Sequence, residues 1–212
     1  MKKKPIYCFF KRLFDLFCSS LAIIILLVPF IIVAVAIKCD SKGPVFFKQK
    51  RVGKNKKLFK ILKFRSMYTT TNPNAPTHML CDANSHITKV GKFIRKTSID
   101  ELPQLFNIWV GHMSFVGPRP ALWNQDDLIA ERDKYYANDI KPGLTGLAQI
   151  SGRDELEIPV KAKIDGDYVL KRGFFYDIGL IFKTAFSVFK SDGVVEGGTG
   201  ELNKQKENKE SE

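Results

Sequence analysis

Histidine and paired cysteine are scarce in this 212-residue chain, and their scarcity excludes several chemistries. The three histidines, His78, His86 and His112, stand alone and fit no zinc-ligand spacing. The four cysteines, Cys8, Cys18, Cys39 and Cys81, form no C-x-x-C pair, which reads as reduced thiols of a protein facing the cytosol. Acid is the minority charge: 22 Asp and Glu against 34 Lys and Arg leave a formal charge of +12. That surplus suits phosphate-bearing partners or an anionic membrane surface, without choosing between nucleotide, nucleic acid and lipid. No internal repeat is present, and the length suits one domain with a real core.

Charge is missing altogether from Leu16 to Ile37, a stretch that reaches the ~20 residues a helix needs to cross the hydrocarbon core. No small-residue cleavage site follows it, which argues against a signal peptide. Lys2, Lys3, Lys4, Lys11 and Arg12 precede the stretch, and Lys38, Lys42, Lys48, Lys50 and Arg51 follow it. The positive-inside bias then wants both ends in the cytoplasm. A helix broken at Pro29 can enter one leaflet and return, since proline removes a backbone bond and forces a kink. The alternative is a single-pass anchor with a proline kink. In the re-entrant form the carbonyl freed near Ile25 needs a partner, and Ser19 and Ser20 are the local hydroxyls.

Beyond Lys38 the chain becomes polar and reads as a compact α/β-type unit. Val45 to Val52 and Leu58 to Phe64 predict a β-hairpin around "GKNKK", with lysines on both strands. "YTTTNPNAPTHMLCDANSHITKVG" reads as a long loop of the kind that forms a mobile lid. A short amphipathic helix carrying Leu105, Phe106, Ile108 and Trp109 ends near Gly111. Arg119 lies between Pro118 and Pro120 in a stiff "GPRP" loop, where it is either an ordinary turn residue or a guanidinium held ready to clamp a phosphate. Gly143, Gly146 and Gly152, beside Lys141 and Arg153, form a loop able to offer backbone N–H groups to an anion. The Phe-rich "GFFYDIGLIFKTAFSVFK" reads as a helix packed on the core or lying at a bilayer surface, with the core preferred for most of its aromatics, and residues 191–212 as a disordered tail.

The two adjacent acids of "TSIDELPQLFN" invite either of two helix starts. Ser98 and Glu101 spell a capping box, whereas Asp100 as N-cap would put Pro103 where its missing N–H costs nothing. Both place acid at the positive end of a helix.

Taken in order, "FKRLFD", the apolar stretch with its central proline, "KFRSM", "IDELPQLFN", "MSFVGPRP", "KPGLTGLAQISGR" and "IFKT" resemble the bacterial small monotopic phosphoglycosyl transferases, over about Phe10 to Phe189. The resemblance implies transfer of a sugar-1-phosphate from a UDP-sugar to undecaprenyl phosphate with release of UMP. In the family the aspartate of the Asp-Glu pair is the nucleophile and the glutamate helps hold Mg²⁺. These roles map onto Asp100 and Glu101, both within reach of the metal. Arg95, Pro118 and Arg119 are then expected near the nucleotide or phosphate, joined by Lys63 and Arg65 of "KFRSM". Asp165 and Asp177 match acidic positions of the family pattern, as site or structural acids. The re-entrant helix broken at Pro29 is a family trait, and it places the protein on the cytoplasmic face of the bacterial inner membrane as a monotopic enzyme.

The chain departs from the family pattern at Val28, where a serine is common, at Asp167, where an aromatic is usual, and at Gly173, which replaces a serine. The expected architecture is α+β: residues 1–38 as basic flank and re-entrant membrane helix, 39–190 as a small cytosolic catalytic domain with a β-hairpin and amphipathic interfacial helices, and 191–212 as tail. This is the minimal form, without the extra N-terminal helices of longer members. A homodimer is compatible with it, and no nucleic acid is expected. Two other readings stay open: a membrane-anchored protein that binds anionic lipid or nucleic acid without turnover, and a glycosyltransferase that releases UDP.

Overall fold

The structure, a computed structural model, describes residues 4–70, 86–152 and 156–190, with backbone alone for 188–190. Most of the proposed lid, the C-terminal tail, Cys81, His78 and Arg153 lie outside the described residues.

Helix α1 (Pro5–Ile25) begins with proline in its first turn, where the missing N–H costs no bond. Leu26 leaves helical geometry, and α2 (Leu27–Asp40) continues at 60° to α1. Pro29 lies in the first turn of α2, so it removes the N–H that would have bonded the carbonyl four residues back and the two helices part there. Contrary to the expectation above, Ser19 and Ser20 do not partner that carbonyl. Both hydroxyls bond back to the carbonyl of Leu16, at 3.2 and 2.8 Å, the usual habit of serine inside a helix. Among the described residues no single helix is long and apolar enough to cross a membrane; α1 and α2 together are, as a bent pair.

The faces of α1 are reversed relative to a helix on a water-soluble domain. Tyr7, Lys11, Asp15 and Ser19, spaced four apart, line the side toward the protein, and Asp15 and Ser19 are buried. Ile6, Phe9, Phe10, Leu13 and Phe17 are exposed on the other side. Lys11 and Arg12, read from sequence as part of a basic flank, are thus turned inward.

The hairpin is β1 (Phe46–Val52) against β2 (Leu58–Phe64), antiparallel with Phe46 opposite Phe64 and Val52 opposite Leu58. Phe59 and Ile61 from one face of β2, and Phe64 at its end on the alternate side, enter a core completed by Phe30 and Ile37 of α2 and by Leu105 and Ile108 of α4 (Gln104–Val110). Phe64 is 1% exposed and meets Phe46 and Phe30 at ring separations of 5.4 and 5.3 Å. Asn107 locks α4 to β2, accepting from Leu62 N–H at 2.9 Å and donating to the Lys60 carbonyl at 2.8 Å.

Between them α3 (Lys89–Lys96) is capped by Thr88, whose hydroxyl accepts from Gly91 N–H at 2.9 Å. A second, parallel pair joins β3 (Ser114–Val116) to β4 (Gly143–Thr145). Around it lie α5 (Asp126–Asp133), α6 (Leu147–Ile150), α7 (Ile158–Lys171) and α8 (Phe174–Lys190). The fold is therefore mixed α and β with two small sheets and a bent helix pair. One expectation fails on α8: Phe174, Phe175, Phe182 and Phe186 are exposed, Phe175 at 87%, while Leu180 supplies the buried contact.

Candidate active site

Neither helix start predicted for the acidic stretch is the one adopted. Ser98 takes the left-handed conformation (φ 56°), Ile99–Glu101 form a single 3₁₀ turn, and α4 starts only after Pro103. Ser98 makes no side-chain cap, and Asp100 sits inside the turn rather than at the N-cap of α4. Pro103 still costs no bond, because it precedes the helix. In a 3₁₀ turn successive side chains point about 120° apart, so Asp100 and Glu101 diverge.

Glu101 is the meeting point of three chain segments. Its Oε1 accepts from Lys63 Nζ of β2 at 2.7 Å and from Arg119 Nη2 at 2.9 Å, while Arg119 Nη1 stands 3.5 Å from Oε2. Burial alone would raise the Glu101 pKa, but Arg119 and then Lys63 outweigh it and hold the carboxyl well below the usual range. Asp100 is 8% exposed. The result is an ionised carboxylate flanked by two cations, next in sequence to a nearly buried second carboxylate.

The "GPRP" loop is as stiff as its prolines suggest, and its backbone shows why. Gly117 N–H donates to the Thr145 carbonyl at 2.9 Å, and the Pro118 carbonyl accepts from Gly143 N–H at 2.9 Å. Arg132 Nη1 donates to the Arg119 carbonyl at 2.9 Å, Arg51 Nη1 to that of Pro120 at 3.0 Å, and Val52 N–H to that of Ala121 at 2.9 Å. A Cβ at Gly143 or Gly146 would fall on the backbone of Gly117. Those glycines serve close strand packing, and the Gly143 N–H expected to meet an anion is already donated to Pro118.

Asp165 and Asp177 are both structural in their contacts. Arg132 pairs with Asp165 through Nε at 2.8 Å and Nη2 at 2.6 Å, both side chains buried, so Asp165 steadies the arginine that holds the Arg119 backbone. Asp177 of α8 pairs with Lys11, accepts from Tyr7 at 2.6 Å and lies 3.0 Å from the Tyr168 hydroxyl. Arg65, expected at the phosphate, is directed elsewhere. Its guanidinium donates to the carbonyls of Lys42 and Ser41, each at 2.7 Å, and to Ser41 Oγ at 2.9 Å, clamping the end of α2. Arg95 lies in the last turn of α3, and its carbonyl accepts from Ser98 N–H at 3.0 Å, just ahead of the acidic turn.

Of the predicted residues, then, Lys63, Glu101 and Arg119 come together, with Asp100 and Pro118 adjacent in the chain. Asp15, Asn107 and Arg132 have no place in the sequence reading, and Arg12 and Arg51 enter it only as flanking charges. Asp15 alone carried a usable signal, as a single acid inside an apolar helix.

No group of three or more His, Cys, Asp or Glu side chains converges on a metal position among the described residues. Two adjacent carboxylates nonetheless fit Mg²⁺, which takes one or two carboxylates, keeps several waters and accepts the remaining ligands from substrate phosphates. Carboxylate is thus the donor type suited to an ion that arrives with a diphosphate, and Glu101 would have to exchange its contacts with Lys63 or Arg119 to reach one.

A family model described as bacterial sugar transferase matches residues 6–191. The chain is 41% identical over 188 residues to the UDP-glucose:undecaprenyl-phosphate glucose-1-phosphate transferase of Klebsiella pneumoniae, covering 85% of this chain and 40% of that protein. It is 39% identical over 199 residues to the undecaprenyl-phosphate galactose phosphotransferase of Salmonella typhimurium, covering 87% and 41%. It is 41% identical over 190 residues to the exopolysaccharide production protein PSS of Rhizobium leguminosarum bv. phaseoli, covering 84% and 94%. The chain spans less than half the length of the first two relatives and almost all of the third.

Proposed function

Because the chain belongs to the bacterial sugar transferase family, we propose that it moves a sugar-1-phosphate from a UDP-sugar to undecaprenyl phosphate and releases UMP. The observation that carries this reading is the convergence of Lys63 and Arg119 on Glu101, directly beside Asp100. A diphosphate brought there meets two cations from different elements, with the Asp100 carboxylate next to Glu101 in the chain.

A carboxylate oxygen of Asp100 attacks the phosphorus that bears the sugar. The bond from that phosphorus to the bridging oxygen breaks, and UMP leaves with the oxygen. The sugar phosphate stays on Asp100 as an acyl phosphate. A phosphate oxygen of undecaprenyl phosphate then attacks the same phosphorus, Asp100 leaves as a carboxylate, and the product is an undecaprenyl diphosphate sugar. Arg119 and Lys63 neutralise charge on the diphosphate, and the pinned backbone of residues 117–121 keeps Arg119 in place as charge shifts. Asp100 and Glu101 would hold Mg²⁺, which would supply further charge neutralisation.

The bent α1–α2 pair supports a monotopic seat on the cytoplasmic face of the bacterial inner membrane. Its start is tied to the catalytic body through Lys11 and Arg12, and its end through Asp40, which accepts from Val90 N–H, and through Arg65. Both ends of the pair therefore stay on one side of whatever the exposed apolar face enters, as re-entry requires and a straight crossing forbids. Burying an ordinary apolar side chain of this face in lipid is worth about 1.5–3 kcal/mol.

The test is purified full chain with Mg²⁺, undecaprenyl phosphate and, in turn, UDP-glucose, UDP-galactose, UDP-N-acetylgalactosamine and UDP-N,N′-diacetylbacillosamine. UMP together with a lipid diphosphate sugar is the expected pair of products. UDP as the nucleotide product, or no turnover with any donor, would overturn the reading.

A further inference from the structure

We infer that α1 belongs to the scaffold of the active site, with Arg12 and Asp15 as positioning residues that fix the spacing between the Asp100–Glu101 turn and the Arg119 loop. The inference rests on the transferase reading above.

Asp15 is 2% exposed, and its Oδ1 accepts from Ser114 Oγ and from Phe115 N–H, each at 3.1 Å. Those two residues are in β3, which runs directly into the loop that carries Arg119. Arg12 lies three residues earlier on the same helix, about 4.5 Å along its axis. Its Nη1 donates to the Ile108 carbonyl and its Nη2 to that of Trp109, both at 2.8 Å. These carbonyls are in the last turn of α4, where the Ile108 carbonyl also accepts from the capping Gly111 N–H at 3.0 Å. The other end of α4 follows the acidic turn, and Asn107 ties its middle to β2.

One side of α1 therefore holds both halves of the site, the acids through α4 and the guanidinium through β3. The Glu101–Arg119 pair at 2.9 Å closes the circuit. A buried carboxylate is costly to keep in a helix, and here its bonds go to the strand that aims Arg119. A shift of the order of 1 Å in such a relay is enough to cost roughly a hundredfold in rate.

The test compares wild type, Asp15→Ala, Asp15→Asn, Arg12→Ala and, as a control on the outer side of α1, Leu13→Ala, all as full chains in detergent with unchanged melting as the entry condition. UMP release gives kcat and KM for the UDP-sugar, and amide hydrogen exchange follows the peptides spanning 99–104 and 114–119. Asp15→Ala is expected to lower kcat by about tenfold or more with a smaller change in KM, and to speed exchange at 114–119. Arg12→Ala should do the same with faster exchange at 99–104. Asp15→Asn keeps an oxygen acceptor for Ser114 and Phe115 and should restore most of kcat, and it decides the matter if Asp15→Ala melts early. Wild-type kcat and exchange in Asp15→Ala, an effect on KM alone, or an Asn variant as impaired as Ala would overturn the inference. Should the wild type release no UMP, the transferase reading fails, and the exchange data still decide whether α1 holds the two segments.

Discussion

The hairpin and α1 solve opposite packing problems with the same residue types. In β1 and β2 the apolar side chains Phe59, Ile61 and Phe64 are buried while the charged Lys48, Lys50 and Lys60 stay exposed. In α1 the order is inverted: Asp15 is buried while Phe9, Phe10 and Phe17 face out. The hairpin is built for water on its outer side. The reversed helix is stable only if something other than water covers its apolar side, and its inward charges are tolerable because each meets a partner, Lys11 on Asp177, Arg12 on the end of α4 and Asp15 on β3. Exposed Phe174, Phe175, Phe182 and Phe186 put α8 with α1 rather than with the hairpin.

The sharpest way to break the comparison is to empty each kind of site. Phe64→Ala, in the inward-facing core, should destabilise the protein by about 3–5 kcal/mol in a chemical denaturation curve, because three rings lose their common contact. Next in size, Glu101→Gln should slow UMP release by the equivalent of roughly 2–4 kcal/mol in barrier, measured as kcat/KM, through lost charge at the site. The same residue adds an acid-side signature. Its folded pKa lies below the ordinary value of 4.5, so the stability it contributes is present above that pH and is lost as acid takes the pH below it. The Gln variant should therefore lack this part of the acid transition in a pH series of melting curves. Smallest in its effect on the fold, Phe17→Ser on the outward side of α1 should change stability in detergent by less than about 0.5 kcal/mol while lowering the fraction bound to anionic vesicles in a flotation assay. If Phe17→Ser instead destabilised the fold as strongly as Phe64→Ala, the contrast between the two regions would be false.

Much of the fold was legible because it follows rules that need only local pattern. The hairpin strands fall within one residue of their predicted ends, and of the four apolar residues read on α4, Leu105 and Ile108 are buried while Phe106 and Trp109 are exposed. The misreadings share a cause in what surrounds a residue. Aromatics on more than one face of α8 fit a core or a bilayer surface equally by composition, and only the packing around the helix leaves Phe174, Phe175, Phe182 and Phe186 exposed. Arg65 lies just past the last residue of β2, where strand alternation stops assigning faces, so its neighbour Lys63 gave no guide to it. Gly143 reads as an anion loop in isolation, but β3 lies against it and consumes its N–H. Ser98 looked like a cap because the sequence does not reveal that its backbone turns left-handed. Glu101 and Arg119 were individually identifiable, whereas their direct pairing depends on three segments meeting in space.

The central claim, that Asp100 is the nucleophile and Glu101 its charged neighbour, is tested most directly by intact-protein mass measurement after incubation with Mg²⁺ and the UDP-sugar in the absence of lipid acceptor. Wild type is predicted to gain the mass of one sugar phosphate, on the peptide that contains Asp100. Asp100→Asn is predicted to gain none and to release no UMP. An Asp100→Asn variant that carries the same adduct, or that turns over near the wild-type rate, would contradict the account.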